Sequence, residues 1–186
     1  MSSLDLSNHF LIAMPTLKDP NFERTVTLLC AHNEDGAMGI VINRPTHLKV
    51  GAMLERLDFK PVKSPLYGQP VYLGGPVQTD WGLVLHRPCN EYHHTIPVSD
   101  DLGISMSRDI FAAIAAGEGP KEAIIALGYA GWGAGQLEQE IAENAWLAGP
   151  VDLDILFGIG ADRRWQAAAT LLGVDLAQIS RSVGHA

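Results

Sequence analysis

Residues 25–43 read TVTLLCAHNEDGAMGIVIN. Thr25–His32 is rich in β-branched and apolar residues, Asn33-Glu34-Asp35-Gly36 is a turn signal, and Ala37–Asn43 is apolar again. Two such runs around a glycine-containing turn read as an antiparallel β-hairpin. Upstream, Phe10–Met14 is a short apolar run closed by Pro15, which predicts one more strand.

Downstream the pattern changes. Val50, Met53, Leu54 and Leu57 recur at helical spacing and predict a helix over Val50–Leu57. Phe59–Pro70 carries Pro61, Pro65 and Pro70 and reads as a loop. Val71–Leu73 and Trp81–His86 read as strands, and Thr95–Val98 and Ile104–Met106 as weaker ones. Ser107 is a candidate N-cap for a helix with Ile110, Phe111 and Ile114 on one face, ended by Gly117. Ala123–Ala130 fits a buried strand. A glycine-rich turn follows, then a helix over about Gln136–Leu147. Val151–Phe157 fits a strand or a helix. Asp162 can cap a last helix that stops at Gly173. Hairpins early and strand–helix alternation late give a single α+β domain with a mixed, mostly antiparallel sheet.

At 186 residues the chain is one domain's length, with 47% hydrophobic residues and a formal net charge of −8. The 13 basic residues are scattered, with only Arg163 and Arg164 adjacent, so no basic patch for phosphate neutralisation is visible and direct nucleic-acid binding is not expected. The N-terminal Met1–Asn8 lacks a basic start and apolar run, and no apolar stretch approaches the ~18–20 residues of a membrane span. A cytoplasmic protein is expected. Cys30 and Cys89 form no C-x-x-C, and Cys30 falls in a strand pattern as a small buried hydrophobe.

Gly128–Trp146 reads GYAGWGAGQLEQEIAENAW. Glycines at 128, 131, 133 and 135 between a strand and a helix suggest a tight turn, not a dinucleotide fingerprint: the third glycine would fall at Gln136, and Trp132 occupies the space a pyrophosphate needs. On the following helix Glu138 lies beside the apolar stripe of Leu137 and Ile141. Its carboxylate is either a group with a raised pKa, fit for acid/base work, or a helix-start cap at N3 after Gly135. His86, Cys89, His93 and His94 offer three metal ligands at once but no fourth, so no metal or other cofactor is expected. Neither G-x-S-x-G nor H-E-x-x-H occurs.

Three segments together resemble the YqgE/AlgH family of small bacterial proteins: Phe10–Pro45 (FLIAMPTLKDPNFERTVTLLCAHNEDGAMGIVINRP), Val71–Val77 (VYLGGPV) and Gly128–Trp146. Their order and spacing match over essentially the whole chain, 1–186. The resemblance implies a single domain with a bifurcated, barrel-like sheet flanked by helices, a cytosolic location and no established enzymatic activity. It also implies the label of transcriptional regulator that members carry after a role suggested in alginate synthesis. No helix-turn-helix supports that label here, so any such role is expected to be indirect.

The resulting expectation is a regulatory or binding domain whose groove is lined by Asn43, Arg44, Gly74, Gly75, Trp132, Gln136 and Glu138. Arg44 would meet a small anionic ligand and Trp132 would form an apolar platform; an unidentified protein is the other expected partner. This requires Arg44, Trp132 and Glu138 to border one cavity. Catalysis by Glu138 on a small anionic substrate is the competing expectation. Asn144, at the edge of the apolar face, is expected to be buried and hydrogen-bonded to a neighbouring loop.

Overall fold

A computed structural model describes residues 4–183. The first hairpin forms as expected: β1 (His9–Ala13), β2 (Val26–Asn33) and β3 (Gly36–Val41) pair antiparallel in sequence order. Then come β4 (Pro45–Lys49), α1 (Val50–Arg56), β5 (Pro70–Leu73) and the long β6 (Val77–Arg87). These are followed by β7 (Thr95–Pro97), β8 (Gly103–Ser105), α2 (Arg108–Ala115) and the twelve-residue β9 (Glu122–Gly133). The chain closes with α3 (Gln136–Ala142), β10 (Trp146–Pro150), a π-helical turn at Asp154–Gly158, α4 (Ala161–Leu171) and α5 (Leu176–Val183).

One curled sheet of ten strands results, with the path β10-β1-β2-β3-β9-β6-β8-β7. It is antiparallel except where β5 runs parallel to β9 at Tyr72–Ala126 and Leu73–Leu127. Strand β9 is the spine. Along one edge it meets β6; along the other it meets β3 at Ala130–Gly133 and then β5 at Ala126–Leu127. The sheet forks there.

The fork needs glycine. Gly75 and Gly128 have φ of 154° and 75°. A Cβ on Gly74 would run into the Gly128 carbonyl, one on Gly75 into Tyr129, and one on Gly128 would lie 2.6 Å from the Gly75 oxygen. The two backbones touch where side chains would hold them apart. Hydrogen bonds from Val41 N to Gly74 O and from Gly74 N to Leu127 O, both 2.8 Å, stitch the branches together.

Central strands are buried on both faces. Phe10, Ile12, Leu28, Leu83, Leu85, Ile124 and Ala126 pack under α4 and α5 with Leu156, Ala168 and Leu176. Val84, Ala123 and Ile125 face the other way, onto Val50, Met53, Leu54, Ile110, Phe111 and Ile114 of α1 and α2. A third cluster joins Leu11, Leu29, Trp132, Leu137 and Trp146 beneath α3.

Two expectations need correction. The helix after the glycine turn stops at Ala142, and Trp146–Leu147 belong to β10, which pairs with β1 along His9–Ala13. Ala148 lies in β10 and Ala145 just before it, so the apolar residues beyond Ala142 belong to a strand and its approach, not to a helix face. Asn144 is exposed with φ 59°, and it ends the helix instead of anchoring a loop. The amide of Asn144 bonds Ile141 O at 3.0 Å, and that of Ala145 bonds Glu140 O at 2.9 Å; together these are the paired closure of a helix C-terminus around a left-handed residue. Asparagine tolerates that backbone where most residues do not. Asn144→Ala is therefore expected to lower unfolding stability by about 1 kcal/mol and Asn144→Gly to leave it unchanged or raised, as read by urea titration. A buried, hydrogen-bonded Asn144 would make both variants costly.

Candidate functional site

Among the seven residues expected to line a groove, most hold backbone. Asn43 Oδ1 accepts the Val26 amide at 3.0 Å and its Nδ2 donates to Arg24 O at 2.9 Å, which ties β2 to the strand end after β3. Arg44 donates to three carbonyls of one loop: Pro20 (2.8 Å), Asn21 (2.7 Å) and Glu23 (2.9 Å). Gly74 and Gly75 form the fork. Gln136 Oε1 accepts the Gly133 amide at 3.0 Å and closes the glycine turn. Arg44 and Gly75 do line one cavity of about 240 Å³, with Asn21, Leu73, Pro76 and Thr79. Trp132 and Glu138 do not reach it. Trp132 is 6% exposed and packs on Phe22 and Trp146 at centroid distances of 6.0 Å.

Glu138 sits in the first turn of α3 after the N-cap Gly135, and its carboxylate meets His32 Nε2 at 2.6 Å. Its pKa lies below the usual 4.5, held down by its own backbone amide and then by the His32 ring. This is a capping carboxylate, not a group raised toward neutrality. His32 is buried, and its Nδ1 accepts the Leu6 amide at 3.1 Å, so Nε2 carries the proton donated to Glu138. Both ring nitrogens are committed. The neighbour Glu140 is the carboxyl pushed up, by burial, with Glu143 and Asp19 adding to the rise and the indoles of Trp132 and Trp146 opposing it. Glu140 Oε2 and Trp146 Nε1 are both buried without a hydrogen bond of good geometry.

The histidines and cysteines are dispersed. His86 is fully buried between Pro88 O (2.9 Å) and Ser105 Oγ (2.8 Å), and burial lowers its pKa. Burial raises both thiols, Cys30 well above the usual range. Among the described residues no three His, Cys, Asp or Glu gather to hold a metal ion.

An apolar cleft of about 520 Å³ lies elsewhere, between α1, α2 and β6. Its origin is local. The β6–β9 register runs from Val77↔Tyr129 directly to Gly82↔Leu127, so Gln78–Trp81 oppose the single residue Gly128. The loose stretch puts Asp80 and Trp81 on the cleft wall, with Trp81 50% exposed. Gly82 forms the floor: a Cβ there would come within 2.9 Å of Met53 Cε and 3.0 Å of Phe111 Cζ. Leu57, Phe59 and Met106 complete the apolar lining, and His94, Asp80 and Arg108 supply polar groups. The Arg108 guanidinium lies 4.4 Å over the Phe59 ring and donates to Leu57 O at 3.1 Å, which leaves further N–H groups free to meet a ligand.

The sequence marks Met53, Leu57 and Phe111 only as apolar helix faces and His94 only as a possible metal ligand, and it does not assign any cleft residue to a binding site. Two signals were present. Gly82 interrupts a strand pattern, which marks a bulge or a close approach. Arg108 opens a helix, where the dipole disfavours a cation, and its contacts with Leu57 O and the Phe59 ring offset that.

The two carboxylates of α3 provide a test with opposite signs. Glu138, depressed in the folded protein, stabilises above its unfolded pKa near 4.5 and loses that contribution as pH falls through the folded value. Glu140, raised, stabilises only below its unfolded pKa and becomes a cost as pH rises through the folded value. At pH 7 Glu138→Gln is expected to lower stability by less than about 1 kcal/mol, given its exposure, and Glu140→Gln to raise it. In denaturant titrations the Glu140 difference should vanish below the unfolded pKa near 4.5, and the Glu138 difference only further down, once pH falls through its depressed folded value.

No helix among the described residues is long and apolar enough to cross a membrane. Comparison with known proteins matches residues 10–177 to the family model described as AlgH-like (DUF179). A UPF0301 protein of Thioalkalivibrio sulfidiphilus is 57% identical over 185 residues, covering 100% of this chain and 99% of its own. The solution structure of the AlgH protein from Pseudomonas aeruginosa superposes with a TM-score of 0.79 at 49% identity, covering 100% of this chain and 98% of that one. A Corynebacterium diphtheriae protein shares the fold at 18% identity, with a TM-score of 0.71 over 93% of this chain and 90% of that one. The chain belongs to the AlgH-like UPF0301 family of uncharacterised proteins.

Proposed function

We propose that this protein is a non-catalytic binding domain. Its ligand is a small molecule with an apolar, preferably aromatic, body and one acidic group. The observation that carries the reading is the β6 cleft. Its size falls within the ~300–1,000 Å³ of small-molecule sites, its walls are aromatic and thioether side chains, and one pre-positioned cation stands at the rim. Trp81 supplies a face for stacking and Arg108 a partner for carboxylate, sulfonate or phosphate. Thr79, which lines the smaller cavity at Arg44 and Gly75, precedes Asp80 of the cleft wall in the chain. Asn43, Gly74, Trp132, Gln136 and Glu138 then serve the site by holding the turns that shape it.

Acid/base catalysis by Glu138 is the second reading, and its one supporting observation is the 2.6 Å pair with His32. Against it stand the depressed carboxylate and the occupied Nδ1, which leave no vacant proton acceptor on the imidazole. The regulator label of the family fits an indirect role, in which ligand occupancy alters contact with another protein. The net charge of −8 and the scattered basic residues argue against direct DNA contact.

The test uses 8-anilinonaphthalene-1-sulfonate, an apolar aromatic anion, with the folded protein. Saturable one-to-one binding accompanied by a change in Trp81 emission is expected. Gly82→Val, which fills the floor, should abolish binding, and Arg108→Ala should weaken it about tenfold, a loss of ~1.4 kcal/mol. Both variants should keep the far-UV circular dichroism of the parent. Binding unaffected by either change refutes the reading. Loss of activity on a metabolite panel in Glu138→Gln, with folding intact, would favour the catalytic one.

A further inference from the structure

Arg164 is 5% exposed, and among the described residues no carboxylate pairs with it. Arginine keeps its charge in a protein interior, so this is a buried cation without a counter-ion, the arrangement that isolated burial penalises most. Partial compensation comes from the backbone. One terminal nitrogen donates to Ile42 O and the other to Ile159 O at 3.3 Å, while the guanidinium lies 5.3 Å from the Tyr72 ring centroid. Those bonds use two of five N–H groups, and Nε is buried with no acceptor. Its position in the chain adds to the cost: Arg164 is in the fourth position of α4, near the positive end of the helix dipole.

The same side chain lines a narrow cavity of about 160 Å³ with Tyr72, Gln69 and Lys121. Unlike the β6 cleft, this cavity has a mainly polar lining. Glu122 is its one carboxylate, and Arg87 already holds it at 3.0 Å. Lys121 is exposed at the mouth, with no ion-pair partner among the described residues.

We propose that this cavity is a binding site for a small oxyanion, with Arg164 as the buried cation and Lys121 as the charge at the entrance. A phosphate or phosphoryl group suits the chemistry: compact, strongly charged and rich in acceptors for the free guanidinium N–H groups and the ammonium, in a lining that also includes Tyr72 and Gln69. The site is separate from the β6 cleft and shares no lining residue with it.

Thermal unfolding with added inorganic phosphate tests the proposal, with sodium chloride at matched ionic strength as control. The melting temperature is expected to rise saturably by several degrees with phosphate alone. Lys121→Ala, a surface change that leaves the fold intact, should weaken the apparent affinity at least fivefold, and Arg164→Met should abolish the response. If Arg164→Met does not fold, the Lys121→Ala result decides alone. A parallel arm with glycerol 3-phosphate separates sources: tighter binding than phosphate assigns the site to a phosphorylated small molecule, weaker binding to free phosphate. No saturable rise in the parent, or an equal rise in Lys121→Ala, overturns the site. These outcomes are independent of Gly82 and Arg108, so they stand or fall apart from the β6 cleft.

Discussion

Everything that distinguishes this molecule from a plain curled sheet follows from one close backbone contact, that between Gly74–Gly75 and Gly128–Tyr129. Side chains would hold the two segments apart, and glycines at 74, 75 and 128 remove them. Because the contact exists, β9 accepts β3 and β5 along one edge, and the sheet forks. Because Gly128 takes a left-handed backbone, the ladder on its other edge breaks, and four residues of β6 span the gap opposite one. Asp80 and Trp81 are carried outward by that excess length. The cleft is thus the far-side consequence of the fork, and the VYLGGPV and GYAGW segments are its two halves.

Charge placement separates side chains whose polar atoms are committed to the fold from cations that keep N–H groups to spare. Arg44 spends its guanidinium on three carbonyls of the 20–23 loop, and Glu138 neutralises the start of α3 while fixing a buried histidine. These charges are satisfied. Arg108 and Arg164 are different: both lie in the first turns of helices, where a cation is disfavoured, and both keep N–H groups without protein acceptors. Each borders a cavity, and the two cavities differ in character, one apolar and wide, the other polar and narrow.

Local signals were legible in the sequence and long-range ones were not. The hairpin through Asn33–Gly36, the caps at Ser107 and Gly117, and the helix beginning after Gly135 are written in adjacent residues. Strand β10 is not, because Trp146–Pro150 becomes a strand only through its partner β1, more than 130 residues away. Glu138 stands out in the sequence by its place beside the apolar stripe, yet the raised carboxyl is Glu140, whose indole neighbours come from β9 and β10. Motif residues such as Asn43 and Gly75 announced themselves because backbone geometry demands them. Cleft residues such as Trp81, Met53 and Phe111 have ordinary identities and acquire a role only when the bulge brings three elements around one space.

The central claim is that the bulge opposite Gly128 opens a binding cleft. Residue-resolved amide exchange, with and without saturating 8-anilinonaphthalene-1-sulfonate, tests it most directly. The amides of Gln78–Trp81 should exchange rapidly in the free protein while Leu83–Leu85 and Ile124–Ala126 stay protected. The probe should slow exchange at 79–82 and 106–111. Protection of Gln78–Trp81 equal to that of the flanking strand, or slowing confined to the Trp132–Glu140 segment, would contradict the account.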